Sequence, residues 1–134
     1  MLPRLDAFLG DGAFVYVPDG CVLDSVVNLI YLTSASSHST VSYPRTLIIV
    51  GKGAQVKVIE SYIGADGGGS GPECFTNAVT EIDLDEAANL DHYRLIAESD
   101  HAFHVGTSRV SLGRDSVFTS ASFATGTILA RNDF

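Results

Sequence analysis

The side chains able to do chemistry are few and scattered. His101 and His104 are three apart, next to His92 in the same stretch. On a strand an odd spacing puts two side chains on opposite faces, so His101 and His104 do not chelate one metal as regular strand neighbours. His92 joins either of them only if the fold brings them together, and hydrogen-bonded or surface histidines are the default reading. Cys21 and Cys74 read as small buried apolar residues, since the sequence points to no base that would activate a thiol. Glu81 and Asp83 share a strand face, with Asp85 and Glu86 in the turn after them. A carbohydrate-active β-helix enzyme sets carboxylates on one face in this way, often with Ca²⁺. Alternating acids on a solvated strand are the simpler account, and the chain has no Trp to serve as a sugar platform. Gly64 to Gly71 holds five glycines. A phosphate loop would run on through Lys-Ser/Thr into a helix, whereas Pro72-Glu73-Cys74 follows here. Ser70 sits in Gly68-Gly69-Ser70-Gly71-Pro72, which misses the nucleophile-elbow pattern. A cupin-like metal-binding jelly roll is a further alternative, but its His-x-His spacing is absent. No catalytic, cofactor-binding or metal-ligating residue is assigned.

The elements that would position these groups are strands. Leu2, Leu5, Phe8 and Leu9 recur at helical spacing, and Gly10 can end the turn, so one short N-terminal helix is expected. Beyond it the period changes to two. Strands are expected over Ala13 to Val17, Val26 to Leu32, Thr46 to Val50, Ala54 to Ile63, Thr76 to Leu84, Leu90 to Ala97, Phe103 to Leu112 and Ser116 to Leu129. Ser34 to Tyr43 is polar and small, and it reads as a loop. Four turns look alike. Each follows an apolar residue (Val17, Val50, Leu84, Leu112), and these leaders are 33, 34 and 28 positions apart. Repeats in this range mark a solenoid, and the all-β solenoid is the parallel β-helix. An antiparallel sandwich with ordinary hairpins is the alternative. The run from Thr127 to Phe134 ends without an evident cap. Residues 1–134 are therefore expected to be a single β-helix segment of a longer core domain, and to self-associate through exposed coil ends.

Composition agrees. The chain of 134 residues suits one domain, with 46% hydrophobic and only 18% charged residues. The net charge of −8 spreads eight Lys and Arg among sixteen acids, so nucleic acid and anionic membrane are not expected partners. Apolar runs such as Leu47 to Val50 are far shorter than the ~20 residues of a membrane helix. There is no secretory leader pattern, and a soluble intracellular protein is expected.

Several segments together resemble one family. They are Asp11-Gly12-Ala13-Phe14-Val15-Tyr16-Val17-Pro18-Asp19-Gly20, Tyr43-Pro44-Arg45-Thr46-Leu47-Ile48-Ile49-Val50, Val58-Ile59-Glu60-Ser61-Tyr62-Ile63-Gly64, Thr76-Asn77-Ala78-Val79-Thr80-Glu81-Ile82, Ala87-Ala88-Asn89-Leu90-Asp91-His92-Tyr93-Arg94-Leu95, Ala102-Phe103-His104-Val105, Arg114-Asp115-Ser116-Val117-Phe118 and Arg131-Asn132-Asp133. In order along the chain, they resemble the core of the SufB/SufD family of iron–sulfur cluster assembly proteins, and its SufD branch more than its SufB branch. The resemblance implies a right-handed parallel β-helix and a non-catalytic scaffold in the cytoplasm or plastid stroma. It implies SufB-like and SufC-like (ATPase) partners, with the iron–sulfur cluster as the product of the whole complex and no cofactor in this segment. The family's Cys and His pair linked to cluster formation, and its helical regions, have no counterpart here. Ile96 stands where family members often carry Gln. Asn77, Glu81, His92, Tyr93, Arg131, Asn132 and Asp133 are signature positions of this resemblance and are expected to be structural.

Overall fold

The structure, a computed structural model, describes residues 11–34, 38–65 and 72–134. Its strands are β1 (Gly12–Val17), β2 (Val27–Thr33), β3 (Thr40–Ser42), β4 (Arg45–Val50), β5 (Gln55–Gly64), β6 (Cys74–Leu84), β7 (Asn89–Ala97), β8 (Ala102–Leu112), β9 (Val117–Ala124) and β10 (Leu129–Asp133). One sheet runs β1-β4-β6-β8-β10, with β3 also paired to β6. The second runs β2-β5-β7-β9. Each strand pair is parallel. The chain alternates between the sheets, so successive coils stack as a β-solenoid, and the antiparallel sandwich is excluded. The helix expected over Met1 to Gly10 lies outside the described residues, among which there is no helix.

The four related turns are the frame of the stack. Their leaders Val17, Val50, Leu84 and Leu112 are in register across the first sheet. The third residue after each leader has a left-handed backbone: Gly20 (φ 67°), Gly53 (φ 64°), Ala87 (φ 57°) and Asp115 (φ 59°). Two of the four are glycines, which adopt this conformation without strain. Each of the first three turns hands a hydrogen bond to the next coil. The amides of Gly20, Gly53 and Ala87 donate to the carbonyls of Lys52, Glu86 and Arg114 at 2.8, 2.9 and 2.8 Å. The second turn residues alternate in charge, as Asp19, Lys52, Glu86 and Arg114. Lys52 Nζ lies 3.2 Å and Arg114 Nη2 2.6 Å from the Glu86 carboxylate. The Arg114 hydrogen bond, then that of Lys52, holds the Glu86 carboxyl below its ordinary value.

Side chains alternate in and out of the stack. In β4, Thr46, Ile48 and Val50 are buried, and their neighbours are half-buried. Near the turns the interior is wholly apolar, with Ile48, Val50, Val56, Val58, Leu84 and Leu90 packed together. Three details differ from the expectations drawn from sequence. The loop expected over Ser34 to Tyr43 contains β3, which is short and polar and exists because it pairs with β6. The strand expected over Ser116 to Leu129 breaks at residues 125–128, where Gly126 has φ 63°. Cys21 and Cys74 are free thiols and half-buried rather than fully buried. Cys74 Sγ accepts a hydrogen bond from Thr40 Oγ1 at 3.4 Å.

Candidate functional site

Farther from the turns the same inward register turns polar. Glu60 of β5 and Arg94 of β7 are neighbours in the second sheet. Thr46, Thr80 and Ser108 form a hydroxyl ladder in the first. Glu60 and Arg94 are 0% and 2% exposed. Arg94 donates to Glu60 Oε2 from Nε (3.3 Å) and Nη2 (3.0 Å), and Nη2 also reaches Thr80 Oγ1 (2.8 Å) and Ser108 Oγ (3.2 Å). Thr80 Oγ1 donates to the Glu60 carboxylate at 3.0 Å, and His92 Nε2 lies 3.0 Å from Glu60 Oε2. Arg94 Nη1 donates to Asn132 Oδ1 at 3.1 Å, and Asn132 Nδ2 to Ser122 Oγ at 3.0 Å. Burial raises the carboxyl pKa of Glu60, but the His92 hydrogen bond and the Arg94 charge outweigh it and bring the group down to about 2. A buried charge is tolerated only when paired in this way.

A second cluster adjoins the first. Thr76 Oγ1 donates to Glu98 Oε1 at 2.6 Å, and His104 Nδ1 lies 3.3 Å from Glu98 Oε2. Tyr62 stacks on Tyr31 at 4.9 Å between ring centroids and meets the His104 ring edge-on at 4.7 Å. Tyr31 Oη is 2.6 Å from Thr46 Oγ1. Burial pushes the Tyr62 hydroxyl well above the ordinary tyrosine range, and the nearby Glu60 charge adds to this. Gly106 lies where the clusters meet. A Cβ there would stand 2.7 Å from both Arg94 Nη1 and Asn132 Oδ1, so the missing side chain is the space through which that hydrogen bond passes.

The residues singled out from sequence divide between the interior and the surface. His92 and Asn132 belong to the buried network. Asn77 is half-buried on the outer face, and its carbonyl accepts from Arg45 Nη1 at 2.9 Å. Glu81 is also outward, 3.9 Å from Arg109. Tyr93 lies on the outer face in register with Ile59 and Ala121. Arg131 pairs with Asp133 at the surface, 3.0 Å apart. His92, His101 and His104 do not converge, because His92 faces Glu60 and His104 faces Glu98. Among the described residues no group of three or more His, Cys, Asp or Glu is arranged to hold a metal ion. The residues that sequence reasoning missed as a set are Glu60, Arg94, Thr80, Glu98 and His104. A signal existed: Glu60 follows Val50 by ten positions and Arg94 follows Leu84 by ten. Once the turns are aligned, opposite charges fall at one register on the buried parity.

The fold and this interior define a class, a parallel β-solenoid whose buried ionisable groups are tied to one another. The family model for SUF system FeS cluster assembly, SufBD core domain, matches residues 31–134, and the chain belongs to this family. Two curated relatives are similar over most of this chain. The iron–sulfur cluster assembly SufBD family protein slr0076 of Synechocystis is 30% identical over 95% of this chain and 29% of its own length. The chloroplastic protein ABCI7 of Arabidopsis thaliana is 28% identical over 89% of this chain and 26% of its own length. The chain thus spans less than a third of the length of these relatives. No solved structure is significantly similar to it. Among the described residues no helix is long and apolar enough to cross a membrane.

Proposed function

We propose that the chain is a SufD-like, non-catalytic scaffold of iron–sulfur cluster assembly, acting with a SufB-like protein and a SufC-like ATPase in the cytoplasm or plastid stroma. The β-solenoid winds right-handed in this reading, and the cluster is the product of the complex rather than a resident group of this segment. The observation that carries the reading is the mutual engagement of Glu60, Arg94, His92 and Thr80 in the family-matched coils. Ionisable groups committed to each other in a packed interior stiffen a fold. A stiff ladder whose outermost strands lack a partner on one side among the described residues suits the holding of partner chains in register. Co-purification with SufB-like and SufC-like proteins from the same source, with iron measured on the product, tests this. Capture of either partner by an iron-free chain is expected. Stoichiometric iron bound to the isolated chain would overturn it.

A further inference from the structure

The outer face of the first sheet carries a groove beside the regular turns. Tyr16, Ile49, Asp83 and Ser111 stand in one outward row across β1, β4, β6 and β8. Between this row and the turn residues Asp19 and Asp85 lies an open groove of about 400 Å³. It follows the stack for three strand spacings, roughly 14 Å. Its apolar surface is unusually bare: Tyr16 and Leu112 are 58% and 57% exposed, and Ile49 lies half-buried between them. Asp19, Asp83 and Asp85 are exposed carboxylates on the same groove. None of the ion pairs among the described residues involves them. Asp19 and Asp85 accept the backbone amides of Lys52 and Glu86 at 2.9 and 2.6 Å, which holds both carboxylates in place. The neighbouring cations are committed elsewhere, since Lys52 and Arg114 close on Glu86 and Arg109 leans on Glu81. No Lys or Arg lines the groove among the described residues. A small cation would answer the charge and leave Tyr16 and Leu112 wet. A purely apolar ligand would desolvate the carboxylates without compensation. A ligand that is both basic and apolar answers both.

We propose that this groove docks an extended segment of a partner protein in which two basic residues flank an apolar one, in the pattern basic-x-apolar-x-basic. Alternate residues of a strand face one side, so three side chains enter the groove and the outer two stand ~13 Å apart. The groove carries its acids on the first and third coils, with Ile49 on the coil between. One basic group meets Asp19 and the exposed Tyr16 ring, the apolar side chain lies on Ile49, and the second basic group meets Asp83 and Asp85. The flexible arms of Lys and Arg take up the difference in spacing. This docking involves neither iron nor the proposed assembly partners, so it stands apart from the scaffold reading.

The probe is a fluorescein-labelled acetyl-Arg-Ser-Leu-Ser-Arg-amide peptide, titrated with the full chain and read by fluorescence anisotropy. Binding should saturate, and it should weaken several-fold as salt rises from about 50 to about 200 mM. Asp19→Asn with Asp83→Asn should weaken it by about fivefold to tenfold. Both positions are exposed, so the melting midpoint should stay where it was. Tyr16→Ser, or Gly in place of the peptide's Leu, should weaken binding several-fold. Asp24→Asn with Asp91→Asn removes the same charge from a different groove, beside the second sheet, and should leave binding unchanged. The titration of the unaltered protein needs no variant. Absence of saturable binding would overturn the site. So would equal weakening by the two double variants, which would show attraction to the net charge of −8 alone. Unchanged affinity for the Gly peptide would overturn it as well, since the apolar floor would then play no part.

Discussion

Glu60 shows how costly a single buried carboxylate is to disturb. Removing its charge by Glu60→Gln leaves Arg94 buried and unpaired, and this should cost about 3–5 kcal/mol of stability in urea unfolding. Replacing both partners, with Glu60→Gln and Arg94→Met together, should recover part of that loss, because no lone charge then remains inside. Acid should act on the same group. Glu60 titrates at about 2 in the folded chain against an ordinary 4.5. Its contribution is therefore complete above about pH 4.5 and fades as the pH falls towards 2. The effect is on the order of 3 kcal/mol, and unfolding measured at pH 6 and pH 3 should narrow the gap between the native chain and Glu60→Gln. A gap that stays constant with pH would show that the charge is not what holds this network. These residues were hard to find in the sequence for the same physical reason. Glu, His and Arg alternating with Ile and Tyr look like a solvated strand face, and nothing local shows that the polar face points inward. Only alignment of the turns reveals that Glu60 and Arg94 share a level.

At the level of strands and turns, the left-handed positions offer a direct comparison. Ala87 holds a conformation that glycine holds at Gly20 and Gly53. Ala87→Gly should leave stability unchanged or raise it by up to ~1 kcal/mol, whereas Gly53→Ala should lower it by about 1 kcal/mol. Urea midpoints of the two variants would separate them. Gly106→Ala intrudes on the Arg94–Asn132 bond and should cost about 1–3 kcal/mol as overpacking. The turn series was legible because it combines an apolar leader, a polar or glycine tetrad and a second β run at a near-constant interval. β3 was not legible, since Thr40–Ser42 is too short and polar to announce a strand and is defined by its pairing with β6. The gap between β9 and β10 was missed because residues 125–128 keep β-rich composition while Gly126 turns the chain.

For the molecule as a whole, parallel stacking leaves one side of β1 and of β10 without a partner strand among the described residues. Such edges recruit strands, and sedimentation should find the mean mass rising with concentration. A single monomeric species across the range would show that the edges are masked. The two rims of the stack also differ in kind. On one, Gly51 to Ala54, Asp85 to Ala88 and Gly113 to Ser116 repeat the same span between strands. On the other, the intervals between strands vary, with six residues from β2 to β3, nine from β5 to β6, and four from β7 to β8 and from β9 to β10. The protein resembles a bound book, with a spine that fixes the pages and a fore-edge that does not. Extra sequence grafted between Ala97 and Ala102 should be carried as a tab, leaving the paging of later coils intact. One residue added within Asp85 to Ala88 would instead turn every following side chain to the wrong side of its leaf.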